Sequence, residues 1–370
     1  MTRAVVAAMT AYTLELREAE TKLNQNESPY DVPLAIKEEI LARAADRPWN
    51  IYPDFESTDL RAALAAAWSM NLDEILVGNG SNELLAAAIG AFVGPGTPVL
   101  IPRPTFSLYE KLVTIAEGVA IPVAIDPATG LLPVDQMLHA IATARSSSPA
   151  NADGSPAEVV VIVCSPNNPT GGVLPPGGLQ LLLDSGAMIL FDRAYGDFAL
   201  DTLPALHEHL VTFSTFSKAW GLAALRLGWL ASTAKNCREI RKVKLPYSLN
   251  VISEAIAVTA LQHPELRDHN VAATLAERER MAGELTSIDG VEPFPSQANF
   301  LCFRVAGDAR RLFNQLHARS VLIRDISSAV PDSLRVSIGS PEQNDRFLDA
   351  LRDSLRENSA PGASAREDLP

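Results

Sequence analysis

Val159-Val160-Val161-Ile162-Val163-Cys164-Ser165-Pro166-Asn167-Asn168-Pro169-Thr170-Gly171-Gly172 sets a β-branched run directly before a proline-locked, asparagine-rich loop. The run Val159–Cys164 shows no polar alternation, which predicts a strand buried on both faces. Such strands belong to mostly parallel sheets covered by helices on either side. The loop then lies at the carboxyl end of its strand, where open α/β sheets bind ligands. A rigid asparagine amide there can donate to a phenolate-like oxygen. The plainer alternative is a turn that uses asparagine for its backbone freedom.

Working outward, strands and helices alternate. Short apolar runs predict strands at 74–77, 98–101, 119–125, 188–192, 210–214 and 227–231. Helical patterns fall at 32–45, 57–70 (capped by Ser57 or Thr58), 84–92, 107–117, 133–144 and 179–183. This repetition predicts a three-layer α/β domain with a mostly parallel sheet. Helices at 251–263 and 271–285 lead into a smaller α/β unit. Its strands are expected at 300–305, 321–324 and 333–338, and its helices at 309–319 and 341–355. The expected organisation is an arm at 1–30, a large domain at 31–250, a small domain at 251–356 packing with the arm, and a tail at 357–370 of disorder-prone composition. Residues 145–157 read as a mobile polar loop.

The 370 residues suffice for two domains. A net charge of −13 argues against nucleic-acid binding, which needs a basic footprint. The same charge speaks against a regulator carrying a basic DNA-binding module. The three cysteines, Cys164, Cys237 and Cys302, form no CxxC pair, so neither a disulfide framework nor a zinc site is expected. With no apolar run of membrane-spanning length and a first segment too short for a secretory leader, the expectation is a cytoplasmic protein with no membrane partner. His207 and His209, two apart, would not share a helix face as metal ligands should.

Four stretches carry the chemistry. Gly78-Asn79-Gly80-Ser81-Asn82-Glu83 is a glycine turn between strand and helix, where backbone N–H groups and Ser81 can hold an anion. Asp192 ends an apolar strand, where a carboxylate is costly unless paired; it could keep a pyridine nitrogen protonated while Tyr195 donates to a ring oxygen. Lys218, in Ser214-Thr215-Phe216-Ser217-Lys218-Ala219-Trp220-Gly221, lies among apolar and small residues. Desolvation there favours the neutral amine, which can form a Schiff base with an aldehyde. Arg226, eight positions on, can bind phosphate bidentately beside Thr215 and Ser217. Phe106 can stack on a flat ring. Pyridoxal 5'-phosphate meets all these demands: phosphate, ring, ring oxygen, ring nitrogen and aldehyde.

The order Asn-Pro-Thr-Gly, Asp-x-Ala-Tyr, Ser-x-Ser-Lys and a later arginine resembles the fold-type I pyridoxal-phosphate aminotransferases. Leu23 to Tyr30, Tyr52-Pro53-Asp54, Gly78 to Glu83, Pro104 to Tyr109, Lys244-Leu245-Pro246-Tyr247 and Leu334 to Gly339 resemble their histidinol-phosphate aminotransferase branch. The resemblance covers about residues 12–355.

It implies that Lys218 binds the cofactor covalently and carries the transferred proton, that Asp192 pairs with the ring nitrogen, and that Tyr195 and Asn168 bind the ring oxygen. Ser81, Asn82, Glu83 (through its backbone), Thr215, Ser217 and Arg226 would hold the phosphate. Tyr52 would reach the cofactor of a neighbouring subunit, so a homodimer is implied. Arg335 would take the α-carboxylate of the donor, with Asn26 also at the substrate. Arg324 and Tyr12 would take the far anionic end. The implied reaction converts L-histidinol phosphate and 2-oxoglutarate to imidazole acetol phosphate and L-glutamate through a pyridoxamine phosphate intermediate. The same chemistry on aromatic or other amino acids, or decarboxylation of a phosphorylated amino acid, are the alternatives. Two departures stand out: Arg193 follows Asp192 where the family usually has an acidic residue, its side chain expected to point away from the ring, and the arm around Tyr12 is less typical of the branch.

Overall fold

The computed structural model describes residues 1–11, 17–126, 129–148, 157–200 and 202–359. A short helix α1 (Ala4–Ala7) and a two-residue strand β1 (Thr21–Lys22) precede helices α2 (Leu34–Ala45) and α3 (Thr58–Trp68). Then follow β2 (Ile75–Asn79), α4 (Ser81–Phe92), β3 (Pro98–Arg103), α5 (Leu108–Ile115), β4 (Val119–Ala124), α6 (Val134–Ser147), β5 (Val160–Cys164), α7 (Gly178–Asp184), β6 (Met188–Asp192), β7 (Leu210–Thr215) and β8 (Leu227–Ser232). The chain continues through α8 (Ala234–Val243), α9 (Val251–Gln262), α10 (Pro264–Thr286), β9 (Val291–Pro293), β10 (Phe300–Val305), α11 (Ala309–Ala318), β11 (Val321–Leu322), β12 (Arg324–Asp325), β13 (Ser333–Ser337) and α12 (Pro341–Ser359).

The large sheet runs β2-β8-β7-β6-β5-β3-β4. Only β8 is antiparallel to its neighbours; the remaining pairs are parallel. In β5, Val160, Ile162 and Cys164 face one core while Val161 and Val163 face another. That two-residue period, apolar on both faces, is why the run reads as a continuous hydrophobic strand. The chain passes outward from β3 to β4 and returns to β5 on the other side of β3. Loops after β3 and β5 therefore diverge and leave a crevice at their carboxyl ends.

The smaller sheet, β12-β13-β10-β9, is antiparallel throughout and has its own apolar core with α11 and α12. The arm belongs to it: β1 pairs in parallel with β11, and Leu23 exchanges backbone hydrogen bonds with Leu322 and Ser337.

Several expectations need correction. The helix expected to start at Val271 starts at Pro264, because proline suits the first helical turn. The strand expected at 321–324 is two strands about Ile323, one paired with the arm and one with β13. No element was expected over α8, whose cap is Thr233 Oγ1 accepting from Asn236 N at 3.3 Å. Ser57 stands at the cap position of α3, but Asp54 accepts the Thr58 N–H at 2.7 Å instead. Residues 145–147, expected in a loop, finish α6, and residues 357–359, expected in the tail, finish α12. The rest of that tail lies outside the described residues.

Candidate active site

A cavity of about 640 Å³ opens at the carboxyl ends of β5, β6 and β7 and is closed on the far side by the arm and by β12 and β13. Lys218, Asp192, Tyr195, Asn168, Phe106, Ser81, Asn82, Thr215, Ser217, Arg226, Asn26, Arg324 and Arg335 all line it. These residues are spread over more than 300 positions of sequence; the crevice left by the strand order brings them together.

Lys218 follows β7. Its Nζ donates to the Gln25 carbonyl at 3.0 Å and lies 5.8 Å from the Tyr195 ring centre. Burial, then the positive charges of Arg335 and Arg226, push its pKa down to about 8, against an opposing effect from Glu27. Asp192 is buried at the end of β6. It accepts from Tyr109 Oη at 2.7 Å and from Ala194 N at 2.8 Å. Burial raises its pKa, and those two donors only partly offset the effect. Tyr195 packs edge-on against Phe300, and burial pushes its phenol up to about 12.

The anion cradle is built by close approach. Gly228 in β8 stands against the first turn of α4: a Cβ there would sit 2.2 Å from Ser81 N. A Cβ at Gly80, whose φ is +81°, would sit 2.7 Å from Arg226 Nη2. Both glycines let backbone amides and a guanidinium converge. Thr215 Oγ1 donates to Ser217 Oγ at 3.0 Å and accepts from Ser217 N at 3.1 Å, fixing the hydroxyls beside Arg226. Glu83 does not line the cavity. Its carboxylate accepts from Asn79 N at 2.7 Å and closes the strand-to-helix turn, a need the sequence motif does not reveal.

At the opposite wall Arg335 donates to Asn168 Oδ1 at 2.5 Å and to the Asn24 carbonyl at 2.9 Å. Arg324 is its cross-strand partner. Asn26, expected at the substrate, has both ends of its amide engaged by Tyr195 and Ser337. Tyr52 is 79% exposed, stacks on Tyr247 and does not line this chain's cavity. Tyr12 lies outside the described residues. Arg193 is buried against Gly196 near Asp197 and does not line the cavity.

Sequence reasoning missed Tyr109. It lies in the first turn of α5, its N–H on the Phe106 carbonyl at 3.2 Å, its ring 5.6 Å edge-on from that of Phe106 and its hydroxyl on Asp192. Among the described residues no cluster of His, Cys, Asp and Glu could hold a metal, all three cysteines are free and buried, and no helix is long and apolar enough to cross a membrane.

The donor set fits pyridoxal phosphate. A buried carboxylate with no ion-pair partner among the described residues suits a protonated ring nitrogen. A glycine-built helix N-terminus with an arginine suits a phosphate, and a lysine with a depressed pKa suits an aldehyde. Residues 18–351 match the family model described as aminotransferase class I and II. Fold and site thus define a pyridoxal-phosphate-dependent aminotransferase of fold type I.

The chain is 37% identical to the histidinol-phosphate aminotransferase of Chlorobium luteolum, covering 94% of this chain and 95% of that one. It is 34% identical to that of Aquifex aeolicus, covering 96% and 98%. The crystal structure of the Sinorhizobium meliloti histidinol-phosphate aminotransferase with pyridoxal-5'-phosphate superposes with a TM-score of 0.84 at 22% identity, covering 97% and 98%, which speaks for the shared fold. The chain belongs to the histidinol-phosphate aminotransferase branch of the class I and II aminotransferases.

Proposed function

We propose that the chain transfers an amino group between L-histidinol phosphate and 2-oxoglutarate, giving imidazole acetol phosphate and L-glutamate in histidine biosynthesis. The observation that carries this reading is the Arg324–Arg335 pair. The two arginines are direct cross-strand partners, and both line the cavity. Like charges opposite one another are unfavourable unless anions share them. Histidinol phosphate, glutamate and 2-oxoglutarate are anionic, and the two dicarboxylates carry charge at both ends. Arg335 takes the α-carboxylate of the dicarboxylates, and Arg324 takes the substrate phosphate or the side-chain carboxylate.

When bound, pyridoxal phosphate supplies an aldehyde to accept the amine and a ring that spreads negative charge from the substrate carbon. Lys218 Nζ would be the attachment point for that aldehyde and the base placed to move the proton at the substrate α-carbon. Asp192 holds a proton on the ring nitrogen, and Tyr109 holds Asp192. Asn168 and Tyr195 would hold the ring oxygen, and Phe106 would cover the ring face. Ser81, Asn82, Thr215, Ser217 and Arg226 bind the phosphate.

We also read the chain as a homodimer. Trp49, Ile51, Tyr52, Phe55, Leu245 and Tyr247 form an exposed apolar set of the kind that marks interfaces, and Tyr52 serves the neighbouring site. The large domain is residues 31–250 and the small domain 251–356, and three buried thiols suit the cytoplasm.

The test supplies the purified enzyme with histidinol phosphate and 2-oxoglutarate and measures glutamate. Robust glutamate formation is expected. Turnover of phenylalanine with none of histidinol phosphate, or carbon dioxide release from a phosphorylated amino acid, overturns the substrate assignment.

A further inference from the structure

Asn26 sits at the centre of a buried hydrogen-bond chain that the reaction scheme leaves without a task. It is 1% exposed, and Ser337 in β13 is 2% exposed. The Asn26 backbone N–H donates to Ser337 Oγ at 2.8 Å. Ser337 Oγ in turn lies 3.1 Å from Asn26 Oδ1, and Asn26 Nδ2 lies 3.0 Å from Tyr195 Oη. The Asn26 carbonyl accepts from Asn299 Nδ2 at 3.1 Å, so the residue is tied on every side.

The directions of these bonds follow from proton counting. A backbone N–H can only donate, so Ser337 Oγ must accept from it. With the amide flipped, Ser337 Oγ would accept twice and its own buried proton would meet no acceptor among the hydrogen bonds of the described residues, whereas with the amide oxygen towards it that proton goes to Asn26 Oδ1 at 3.1 Å. That assigns the amide: its oxygen faces Ser337 and its NH2 faces Tyr195. Tyr195 Oη therefore accepts from Asn26. Its single proton is left for a partner in the cavity.

We propose that Asn26, oriented by Ser337, is a positioning residue that commits the Tyr195 proton to the cavity, where it is donated to the ring oxygen of the cofactor. The inference rests on the reading of Tyr195 as the ring-oxygen donor. It gives Asn26 a different task from the substrate contact expected of it. It also ties the phenol to the small sheet, since Ser337 belongs to β13 and Tyr195 follows β6. The backbone of Asn26 has φ of 55°, a left-handed conformation that asparagine tolerates better than most residues. The Asn26 hydrogen bond lowers the Tyr195 pKa against the rise caused by burial. Arg335, Asp192, Cys164 and Lys218 are the other titratable groups facing the phenol.

The test follows the pH midpoint of the bound cofactor's visible absorbance in the holoenzyme. A hydrogen bond donated to the ring oxygen favours the deprotonated chromophore and lowers that midpoint. Asn26→Gly keeps the left-handed backbone accessible and removes the amide. Asn26→Asp keeps the shape but offers Tyr195 an acceptor, drawing its proton out of the cavity. Both are expected to raise the midpoint by about one pH unit, Tyr195→Phe by a similar amount, and Ser337→Ala by less. Asn26→Gly added to Tyr195→Phe is expected to change nothing further. If Tyr195→Phe raises the midpoint and neither Asn26 variant does, the positioning role is overturned while the Tyr195 reading stands. A lowered melting temperature with an unmoved midpoint overturns that role as well, and so does an additive double variant. If Tyr195→Phe itself leaves the midpoint in place, the Tyr195 reading fails and takes the inference with it.

Discussion

The depressed pKa of Lys218 has a measurable consequence for the cofactor-free enzyme. With a pKa of about 8 rather than the ordinary 10.5, about 9% of the amine is neutral near pH 7 instead of about 0.03%. That is a gain of roughly 300-fold in reactive nucleophile. The assay labels the cofactor-free enzyme with trace acylating reagent from about pH 6 to 11 and quantifies the Lys218 peptide by mass spectrometry against surface lysines. Half-maximal labelling is expected near pH 8 for Lys218. Arg335→Met should move that midpoint up, because one opposing positive charge is lost, and Glu27→Gln should move it down. Stability carries the same sign. The folded state gives up the proton more readily than the unfolded chain, so stability rises as pH climbs from about 8 towards 10.5. The gain is at most about 3 kcal/mol, since the cavity admits water to the amine. A Lys218 labelling midpoint near 10.5 would mean that the amine is solvated like any surface lysine, and the claimed depression by burial would be wrong.

Gly228→Ala should reduce phosphate and cofactor affinity by roughly tenfold or more while costing about 1–3 kcal/mol of stability, because its Cβ would meet Ser81 N at 2.2 Å; equilibrium dialysis and urea unfolding measure both, and wild-type affinity counts against the cradle. Tyr109→Phe removes one of the two donors to Asp192 and should cost the cofactor-free enzyme about 1.5–3 kcal/mol at neutral pH. That loss should shrink as pH falls through the raised pKa of Asp192, since a protonated carboxyl needs the donor less. Urea unfolding curves at two pH values decide it, and an equal loss at both would sink the assignment.

Strand β5 shows why much of the fold was legible. A run without polar alternation has few other places to go, and Asn168 soon after it marks the crevice. Asp192, Lys218 and Arg226 were legible for a related reason. A charged residue in apolar surroundings needs a partner, and their order along the chain matches a known set. Elements with weak local signals were less legible. Helix α8 has a polar outer face, β1 and β11 are two residues each, and their pairing depends on each other rather than on propensity.

Burial pattern and residue type act locally, so the α/β class, the chemistry of the cofactor and the charged residues Asp192, Lys218 and Arg226 could be read from the chain alone, while Glu27 and Asp325, which also line the cavity, could not. Which groups touch was left to tertiary packing. It turned Glu83 away from the cavity to close its own turn and brought Tyr109 onto Asp192. It set Arg324 opposite Arg335 and ran a hydrogen-bond chain from Ser337 through Asn26 to Tyr195. A hydrogen bond depends on tenths of an ångström and on direction, and both are set by how two sheets and an arm pack.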